Sequence, residues 1–198
     1  MATKERIEKE FPVRVVIGIG CQDTVKAKTL NAIVGVLLHT KKASITGFAM
    51  RQGGDIVSAR GYCAEYAKKT NATHVFYVDS DMDFPPDTID RLVAHNKEIV
   101  TVEYSRRKLP VESVTTPLDK ASETELYKAK NIGGGCLLVR LDVFDKIDQP
   151  WFNFGRKGTD VVIGEDTWFA NMARDKGIDS WIDPTIKVGH IGEYIFNL

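Results

Sequence analysis

The stretch that decides the fold is His74-Val75-Phe76-Tyr77-Val78-Asp79-Ser80-Asp81-Met82-Asp83. Its first half is a continuous apolar run, which is typical of a strand buried on both faces of a sheet. Its second half carries three carboxylates in alternation. Residues two apart on an extended backbone project to the same side, so Asp79 and Asp81 can face one ligand. The stretch therefore predicts a central strand whose carboxyl end is a binding site, as in open α/β sheets.

Strand and helix patterns alternate on both sides of this stretch. Further strands are predicted at residues 13–19, 44–50 and 98–104. Helices are predicted between them, from Asp23 or Thr24 to about residue 39, at about 55–69 and at 85–95. This β-α-β-α-β-α-β order predicts an α/β fold with a mainly parallel, right-handed open sheet and helices on both faces.

The final third of the chain has a different pattern. Residues 109–130 are polar and contain two prolines, which favours a loop or an edge hairpin. Gly133-Gly134-Gly135 then precedes a predicted strand at 136–140 and a short helix at 141–147. Another helix is predicted at about 164–177, followed by short strands at 180–183 and 186–189. No repeat or linker interrupts the sequence, so we expect one domain with a small antiparallel region in this part.

Composition excludes several classes of protein. Lys plus Arg and Asp plus Glu are both 27 among 198 residues, so the formal charge is zero and no broad nucleic-acid-binding surface is expected. Three cysteines without a C-x-x-C pair argue against a disulfide framework or a zinc ribbon. No apolar run approaches the roughly 18 residues of a membrane span. Residues 1–10 are charged and lack the apolar region of a signal peptide. We therefore expect a cytoplasmic protein without a membrane span.

Asp79 and Asp81 are the first candidates for a functional site. Carboxylates at the end of a buried strand suit a hard divalent cation that bridges to diphosphate oxygens. Such a cation stabilises the negative charge that grows on a diphosphate when its bond to a sugar breaks. The alternative is a solvated acidic turn at the start of the following helix. The pattern leaves both interpretations open.

Glu165, Asp166 and His190 are the second group of candidates. Acidic residues in the first turn of a helix complement its dipole, but Asp166 could also act as a general base toward an acceptor hydroxyl. His190 follows a predicted strand and has glycines nearby, at Gly189 and Gly192. A neutral imidazole there could complete a carboxylate site or could serve as a structural residue only.

Two further segments also have two interpretations. The cations Arg106-Arg107-Lys108 suit a solvated loop or an arm that contacts a diphosphate or an acceptor. The aromatic residues Trp151, Phe152 and Phe154 suit a hydrophobic core or a platform on which a sugar stacks.

Together these motifs resemble the GT-A glycosyltransferases of the family 2 type. The resemblance extends from Val13 to about Gly192. It implies a single GT-A domain over residues 1–198, with a nucleotide-sugar-binding half at about 13–105 and an acceptor and catalytic half at about 106–198. The shared features, in chain order, are Asp79-Ser80-Asp81 after an apolar strand, Gly133-Gly134-Gly135 before a strand that leads into Leu141-Asp142-Val143-Phe144, Gly164-Glu165-Asp166-Thr167 at a helix start, Gly177, Asp183-Pro184 and His190.

The resemblance implies three ligands on the donor side. Asp81 corresponds to the main ligand of Mn²⁺ or Mg²⁺. Asp79 corresponds to the acid that contacts the metal or the ribose of the donor, and Ser80 lies between the two in the donor-binding motif. His190 corresponds to an additional ligand of the metal or the diphosphate.

The resemblance also implies contacts with the rest of the donor. Arg60, in Ser58-Ala59-Arg60, corresponds to an arginine that helps to hold the donor, although Gly61 stands where the family has asparagine. Ile17 and Gly18 correspond to the end of the first strand, where the family cradles the nucleobase. The usual acidic residue after the second strand is not evident, because Arg51 or Gln52 occupies that region.

On the acceptor side, the resemblance makes Asp166 the catalytic base, with Glu165 beside it. It implies an enzyme that moves a sugar from a nucleoside-diphosphate sugar, most commonly a UDP-sugar, to a hydroxyl of a glycan, protein or small-molecule acceptor, with inversion. The alternatives are a catalytically inactive module that binds nucleotide sugars or glycans, and a sugar nucleotidyltransferase. The latter is disfavoured because residues 18–23 contain no lysine or arginine for a phosphate-binding loop.

Overall fold

A computed structural model describes residues 12–120 and 122–192. The charged start at residues 1–10, on which the expectation of a missing signal peptide rests, lies outside the described residues. In chain order the elements are β1 Arg14–Cys21, α1 Ala27–His39, β2 Ser44–Gln52, α2 Ile56–Lys69, β3 His74–Asp79, β4 Met82–Asp83, α3 Thr88–Ala94, β5 Ile99–Val102, β6 Thr116–Pro117, β7 Tyr127–Asn131, β8 Cys136–Arg140, α4 Val143–Lys146, β9 Gly155–Lys157, β10 Asp160–Ile163, α5 Glu165–Asp175, β11 Ser180–Asp183 and β12 Gly189–His190.

Eight of these strands form one sheet in the order β2-β1-β3-β8-β5-β11-β7-β6. Neighbours β2, β1 and β3 are parallel, as are β5 and β11, whereas β8 runs antiparallel to both β3 and β5. Strand β7 also runs against its neighbours β11 and β6. Six strands therefore share one direction and two oppose it, which confirms a mixed α/β fold with a mostly parallel central sheet. Two small antiparallel pairs, β9 with β10 and β4 with β12, lie outside this sheet.

The central strand β3 is buried on both faces, as its apolar run predicts. Val75 and Tyr77 belong to a core layer with residues of α2 and α5, while Phe76 and Val78 belong to a layer with residues of α1 and α3. The alternation of side chains along a strand produces this division. The helices cover the two faces of the sheet because each presents one apolar stripe to it.

The aromatic residues after β8 belong to the first of these layers. Trp151 and Phe152 are buried, and the Phe152 ring stacks on Phe169 of α5 with centroids 4.8 Å apart. Phe144 of α4 packs against Phe152 and Phe169. Of the two interpretations of Trp151 and Phe152, the hydrophobic core is therefore the observed one.

Helix starts are set by two different means. Helix α2 is capped by the Asp55 carboxylate, which accepts a hydrogen bond from the backbone N–H of Ser58 at 2.8 Å. Helix α1 begins at Ala27, later than predicted, and has no side-chain cap. The N–H of Lys26 instead donates to the carbonyl of Ser80, a contact that only the tertiary structure provides.

Strand β1 is longer than its sequence pattern predicts. It continues to Cys21, because β2 pairs with it up to Gln52 and β3 pairs with it up to Asp79. The expectation that the strand ends at Ile17 and Gly18 is therefore wrong.

The described residues contain no helix that is long and apolar enough to cross a membrane.

We expect His74 at the start of β3 to destabilise the fold at acidic pH. Burial, assisted by the charge of Arg140, lowers the pKa of His74 from 6.5 to about 4. The unfolded chain takes up this proton near pH 6.5 and the folded chain only near pH 4. Titration of His74 therefore leaves the free energy of unfolding unchanged above pH 6.5 and lowers it as the pH drops toward 4. The loss is at most about 3.5 kcal/mol, at roughly 1.4 kcal/mol per pKa unit between 4 and 6.5.

Urea unfolding of the wild type and of His74→Asn at about pH 7 and pH 4.5 measures this effect. Asn at this position cannot take up a proton, so the variant should lose less stability between the two pH values than the wild type. Carboxylates that titrate in the same range are present in both proteins, so their effect on stability cancels in the comparison. An equal loss in the two proteins would contradict the prediction.

Candidate functional site

A cavity of about 400 Å³ opens at the carboxyl ends of β1, β2 and β3. The register aligns these ends, because Gly20 of β1 lies beside Asp79 of β3 on one side and Arg51 of β2 on the other. The cavity is lined by residues 20–22, 53–56, 59 and 79–81 together with Arg107 and His190. The structure thus brings Asp79, Ser80, Asp81 and His190 to one site. We call it the donor-side cavity.

Arg60 of α2 lies beneath this cavity and is only 3% exposed. Its guanidinium donates to the Asp79 carboxylate at 3.0 Å, the Glu165 carboxylate at 3.2 Å and the Gly134 carbonyl at 2.6 Å. The Tyr77 ring lies under it, with the centroid 5.7 Å from the guanidinium carbon. A buried arginine needs such partners, because an unpaired charge in the interior is strongly destabilising.

The three consecutive positions before β8 are glycines because neighbouring side chains leave no space for a Cβ atom there. A Cβ atom on Gly134 would overlap the Arg60 guanidinium, and one on Gly133 would overlap the Tyr104 ring. A Cβ atom on Gly135 would come within 2.9 Å of the Tyr104 hydroxyl and 3.0 Å of the Asp79 carboxylate. Because β8 runs against its neighbours, its amino end lies at their carboxyl ends, and the glycines pack directly against the site.

Asp81 is held by partners different from those of Asp79. Its Oδ2 lies 2.7 Å from Arg107 Nη1, and its Oδ1 lies 3.4 Å from His190 Nε2. Pairing of β12 with β4 places His190 opposite Met82 and brings its ring to Asp81. The Arg107 side chain is exposed, so the Arg107–Asp81 pair faces solvent and is weaker than a buried one.

A hydrogen bond of the other ring nitrogen, Nδ1, orients the His190 side chain. Nδ1 lies 2.8 Å from the carbonyl oxygen of Ser105, which can only accept a hydrogen bond, so Nδ1 carries a proton. The ring stands edge-on to Tyr104, with centroids 5.4 Å apart. The hydrogen bond to Asp81 raises the pKa of His190 above its ordinary value, even though burial opposes this shift.

The acids around the site have pKa values shifted in different directions. Burial raises the pKa of Asp79, and the charge of Arg60 only partly offsets this. Burial likewise raises the pKa of Glu165, and the charge of Arg60 only partly offsets this shift. Burial also acts to raise the pKa of Asp81, but the hydrogen bond and charge of His190 and the charge of Arg107 outweigh it, and the pKa is lowered. Asp81 is therefore the more readily ionised of the two acids on the donor side.

A second cavity, of about 650 Å³, is lined by Glu165, the other acid that Arg60 binds. It is lined by Glu165 and Asp166 at the start of α5, by residues 161–164 of β10 and the following turn, and by Arg106 and residues 130–132 among others. Asp166 Oδ2 accepts from the Gly134 N–H at 3.3 Å, and Oδ1 accepts from the Thr167 N–H at 2.7 Å. We call it the acceptor-side cavity.

Three of the sequence-predicted site residues do not line either cavity. Ile17 is fully buried in the core, and a Cβ atom on Gly18 would come within 2.8 Å of the Cys63 Cβ. Residues 20–22, at the observed end of β1, occupy the place expected for Ile17 and Gly18. Arg60 lies below the donor-side cavity and reaches it through Asp79. A direct contact between Arg60 and a donor stays a prediction.

The structure adds two residues that sequence reasoning missed. Tyr104 is buried, and its hydroxyl accepts from the Gly135 N–H at 2.9 Å, so it positions the glycine turn. Asp55 lines the donor-side cavity after Gly53 and Gly54, whose φ angles of 73° and 78° favour glycine. A signal for Asp55 was present, because an acid three residues before Ser58 at a helix start predicts a cap at the end of the loop.

The predicted metal ligands are close together but do not form a complete site. Within residues 12–120 and 122–192, no group of three or more His, Cys, Asp or Glu side chains is arranged to hold a metal ion. The chemistry of Asp79 and Asp81 nevertheless fits a hard divalent cation, since both face one cavity with carboxylate oxygens. A cation at Asp81 has to replace the exposed Arg107 side chain. Binding of Mn²⁺ or Mg²⁺ stays a prediction.

We expect Arg60→Met to destabilise the protein even without any ligand. The substitution leaves the Asp79 and Glu165 carboxylates without their buried cation, and breaking such a network costs about 3–5 kcal/mol. The melting temperature should fall by roughly 10 °C, because 1 kcal/mol corresponds to about 2–4 °C in a domain of this size. Lys146→Ala, which breaks an exposed pair with Asp142, is the matched control and should cost less than about 1 kcal/mol.

A double-mutant cycle with Glu165→Gln tests whether the contact itself is responsible. Residues in direct contact show coupling free energies of about 0.5–3 kcal/mol. The double variant Arg60→Met/Glu165→Gln should therefore lose less stability than the sum of the single variants. Strict additivity, or an apo melting temperature unchanged by Arg60→Met, would show that Arg60 is not the centre of the network.

Comparison with known proteins identifies the fold and no family. No protein-family model and no curated protein matches this sequence. The chain is similar in structure to A197 from STIV, with a TM-score of 0.67 and 13% sequence identity over 91% of this chain and 87% of that chain. At this identity the likeness establishes a shared α/β fold, and function has to be argued from the site itself.

Proposed function

We propose that this chain transfers a sugar from a nucleoside-diphosphate sugar to an acceptor hydroxyl. The observation that carries the proposal is a pair of acid-lined cavities whose acids are linked through Arg60. Asp79 and Asp81 line one cavity, Glu165 and Asp166 line the other, and Arg60 binds one acid of each pair. A transferase has to hold two substrates against one reacting centre, and two acid-lined cavities on either side of a rigid partition suit that requirement.

The donor-side cavity suits a nucleoside diphosphate. Its walls at residues 20–22 and 53–54 contain three glycines, which allow a flat base and a ribose to approach the backbone closely. Arg107 and His190 present cationic groups beside Asp81. A guanidinium matches phosphate oxygens with two parallel hydrogen bonds, so Arg107 can exchange Asp81 for the diphosphate.

A divalent cation fits this proposal on the donor side. When bound, it supplies the positive charge that stabilises a departing diphosphate. The residues that would hold it are Asp79, Asp81 and, through a deprotonated Nε2, His190. Asp79 is fixed in place by Arg60, whereas Asp81 can exchange the exposed Arg107 side chain for the cation.

Asp166 is the group we assign to proton removal on the acceptor side. Each of its oxygens accepts one backbone hydrogen bond, and each keeps a lone pair for an acceptor hydroxyl. As the acceptor oxygen bonds to the anomeric carbon, its proton passes to Asp166. The bond from that carbon to the diphosphate oxygen breaks, and its electron pair leaves with the diphosphate. Attack from the acceptor side, opposite the leaving group, inverts the configuration.

Glu165 has a different role in the same proposal. Its carboxylate is bound to Arg60, and its side chain is only 12% exposed. It therefore fixes the partition between the cavities and the start of α5, where Asp166 follows it. Glu165 is a positioning residue, and Asp166 is the catalytic one.

The donor half of the proposal predicts stabilisation by a nucleoside diphosphate together with Mn²⁺. A ligand at 100 times its dissociation constant stabilises the folded state by about 2.7 kcal/mol. The melting temperature should then rise by roughly 5–10 °C in a thermal-shift measurement with UDP and Mn²⁺. Other nucleoside diphosphates in the same panel would identify the base. Asp81→Asn should abolish most of the shift.

Asp83→Asn is the matched control for this measurement. Asp83 is the third of the alternating acids, but it pairs with Gly189 on β12 and does not line the donor-side cavity. Its variant should keep the shift. A panel of nucleoside diphosphates that gives no shift in the wild type, with or without Mn²⁺, would contradict the assignment of this cavity.

The acceptor half predicts a loss of turnover in Asp166→Asn without a loss of donor binding. Asn keeps the size of the side chain and can still accept the Thr167 N–H, whereas it cannot take up a proton. General-base catalysis typically contributes about 10²–10⁴ in rate, so kcat should fall by that factor. Hydrolysis of the sugar nucleotide, with water as acceptor, provides an assay that needs no known acceptor.

Glu165→Gln is the comparison for this variant. It should lower kcat less than Asp166→Asn, because it alters the position of the site and leaves the base in place. Near-wild-type turnover in Asp166→Asn would instead make Asp166 a helix-start residue only. Donor binding with no turnover in the wild type would make the chain a binding module for nucleotide sugars.

A further inference from the structure

Two hairpin-like segments border the acceptor-side cavity and carry exposed apolar side chains. The first, residues 104–114, is closed by backbone hydrogen bonds from Val114 to Tyr104 and from Arg106 to Glu112. Its tip exposes Leu109 by 84% and Val111 by 71%. The second is the β9–β10 hairpin, in which Val161 and Val162 are 50% and 58% exposed. We call these the 104–114 loop and the β9–β10 hairpin.

Both segments belong to the rim of the acceptor-side cavity. Arg106 and Val114, at the two ends of the 104–114 loop, line the cavity. Residues 161–163 of the β9–β10 hairpin line it as well, directly before Glu165 and Asp166. Both segments therefore carry exposed apolar side chains on a part of the chain that borders this cavity.

The same two segments concentrate positive charge. Arg106-Arg107-Lys108 precedes Leu109 and Val111, and Arg156-Lys157 precedes Val161 and Val162. Glu112 and Asp160 are the only acids in residues 104–114 and 155–163. The five cations outnumber the two acids, although Arg107 is paired with Asp81 and Lys108 with Glu112.

Exposed apolar side chains beside lysine and arginine are a composition that anchors proteins on anionic lipid surfaces. The apolar side chains enter the boundary between headgroups and acyl chains, and the cations attract the anionic headgroups. A protein interface would instead favour aromatic residues and disfavour lysine at its centre. The large exposed apolar side chains of the two segments include no aromatic residue.

We propose that the 104–114 loop and the β9–β10 hairpin dock on an anionic lipid surface, and that the acceptor is an amphiphile held in that surface. The second part of this inference rests on the proposed function. The acceptor-side cavity suits such a molecule, because its lining combines apolar side chains, at Val114, Ile132 and residues 161–163, with polar ones that include Asp166. The hydroxyl-bearing head lies at Asp166, and the apolar chain leaves between the two segments.

Vesicle co-sedimentation tests the docking surface without any need for turnover. The probes are vesicles of phosphatidylcholine alone and vesicles that also contain phosphatidylglycerol. The wild type should sediment with the phosphatidylglycerol vesicles, more weakly at high salt, since screening reduces the attraction of exposed charges. Leu109→Ser/Val111→Ser and Val161→Ser/Val162→Ser should each weaken the apparent affinity by about tenfold or more.

Leu37→Ser/Leu38→Ser is the matched control, because these side chains are also exposed but lie on α1, away from both cavities. The control variant should bind vesicles as the wild type does. Absence of binding in the wild type would overturn the proposal, and so would a loss of binding in the control variant alone. Binding that does not depend on phosphatidylglycerol would overturn the electrostatic part.

A second readout separates this inference from the proposed function. Leu109 and Val111 do not line either cavity, so Leu109→Ser/Val111→Ser should hydrolyse a soluble sugar nucleotide at the wild-type rate. For transfer to an n-alkyl glucoside, KM in the wild type should fall as the alkyl chain lengthens from methyl to octyl, whereas a chain-independent KM would refute an amphiphilic acceptor. Lipid binding without sugar-nucleotide hydrolysis would refute the glycosyltransferase proposal and leave the docking surface intact.

Discussion

The site depends on one buried cation. Arg60 is 3% exposed, and its guanidinium is satisfied only because Asp79, Glu165 and the Gly134 carbonyl converge on it. These partners come from three separate parts of the chain, so the contact fixes the end of β3, the start of α5 and the turn before β8 relative to one another. In a low-dielectric interior such a network is stable only when every member is paired. The charges of Asp79, Glu165 and Asp166 hold Arg60 ionised although its burial acts in the opposite direction.

The direction of β8 makes this network possible. A parallel strand in its place would put its carboxyl end at the site and its glycines at the opposite edge of the sheet. Because β8 runs antiparallel to β3 and β5, Gly133, Gly134 and Gly135 lie where the neighbouring strands end. The absence of side chains there leaves space for the Arg60 guanidinium and the Tyr104 ring. Strand direction and glycine content therefore act together to build the partition between the cavities.

The two acids at the end of β3 are physically distinct. Asp79 is bound to a buried arginine and cannot change partner without a large loss of stability. Asp81, itself only 13% exposed, is bound to His190 and to Arg107, and the exposed Arg107 side chain can move into solvent when a ligand replaces it. Asp79 thus keeps its place in the framework, and Asp81 is the acid that can exchange its partner for a ligand. The same division recurs at the start of α5, where Glu165 binds Arg60 and Asp166 borders the acceptor-side cavity.

The sequence by itself determined the α/β class, the buried strand β3 and the placement of acids at its carboxyl end, because side-chain period and apolar content are local properties. It also predicted the bounds of β3, β8 and β11. It could not determine the direction of β8, the extension of β1 to Cys21 or the start of α1, since these depend on pairing partners far away in the chain. The sequence could not predict the burial of Arg60 either. Whether an arginine early in a helix faces solvent or the interior is decided by the carboxylates that meet it, and those are brought together only by the tertiary structure.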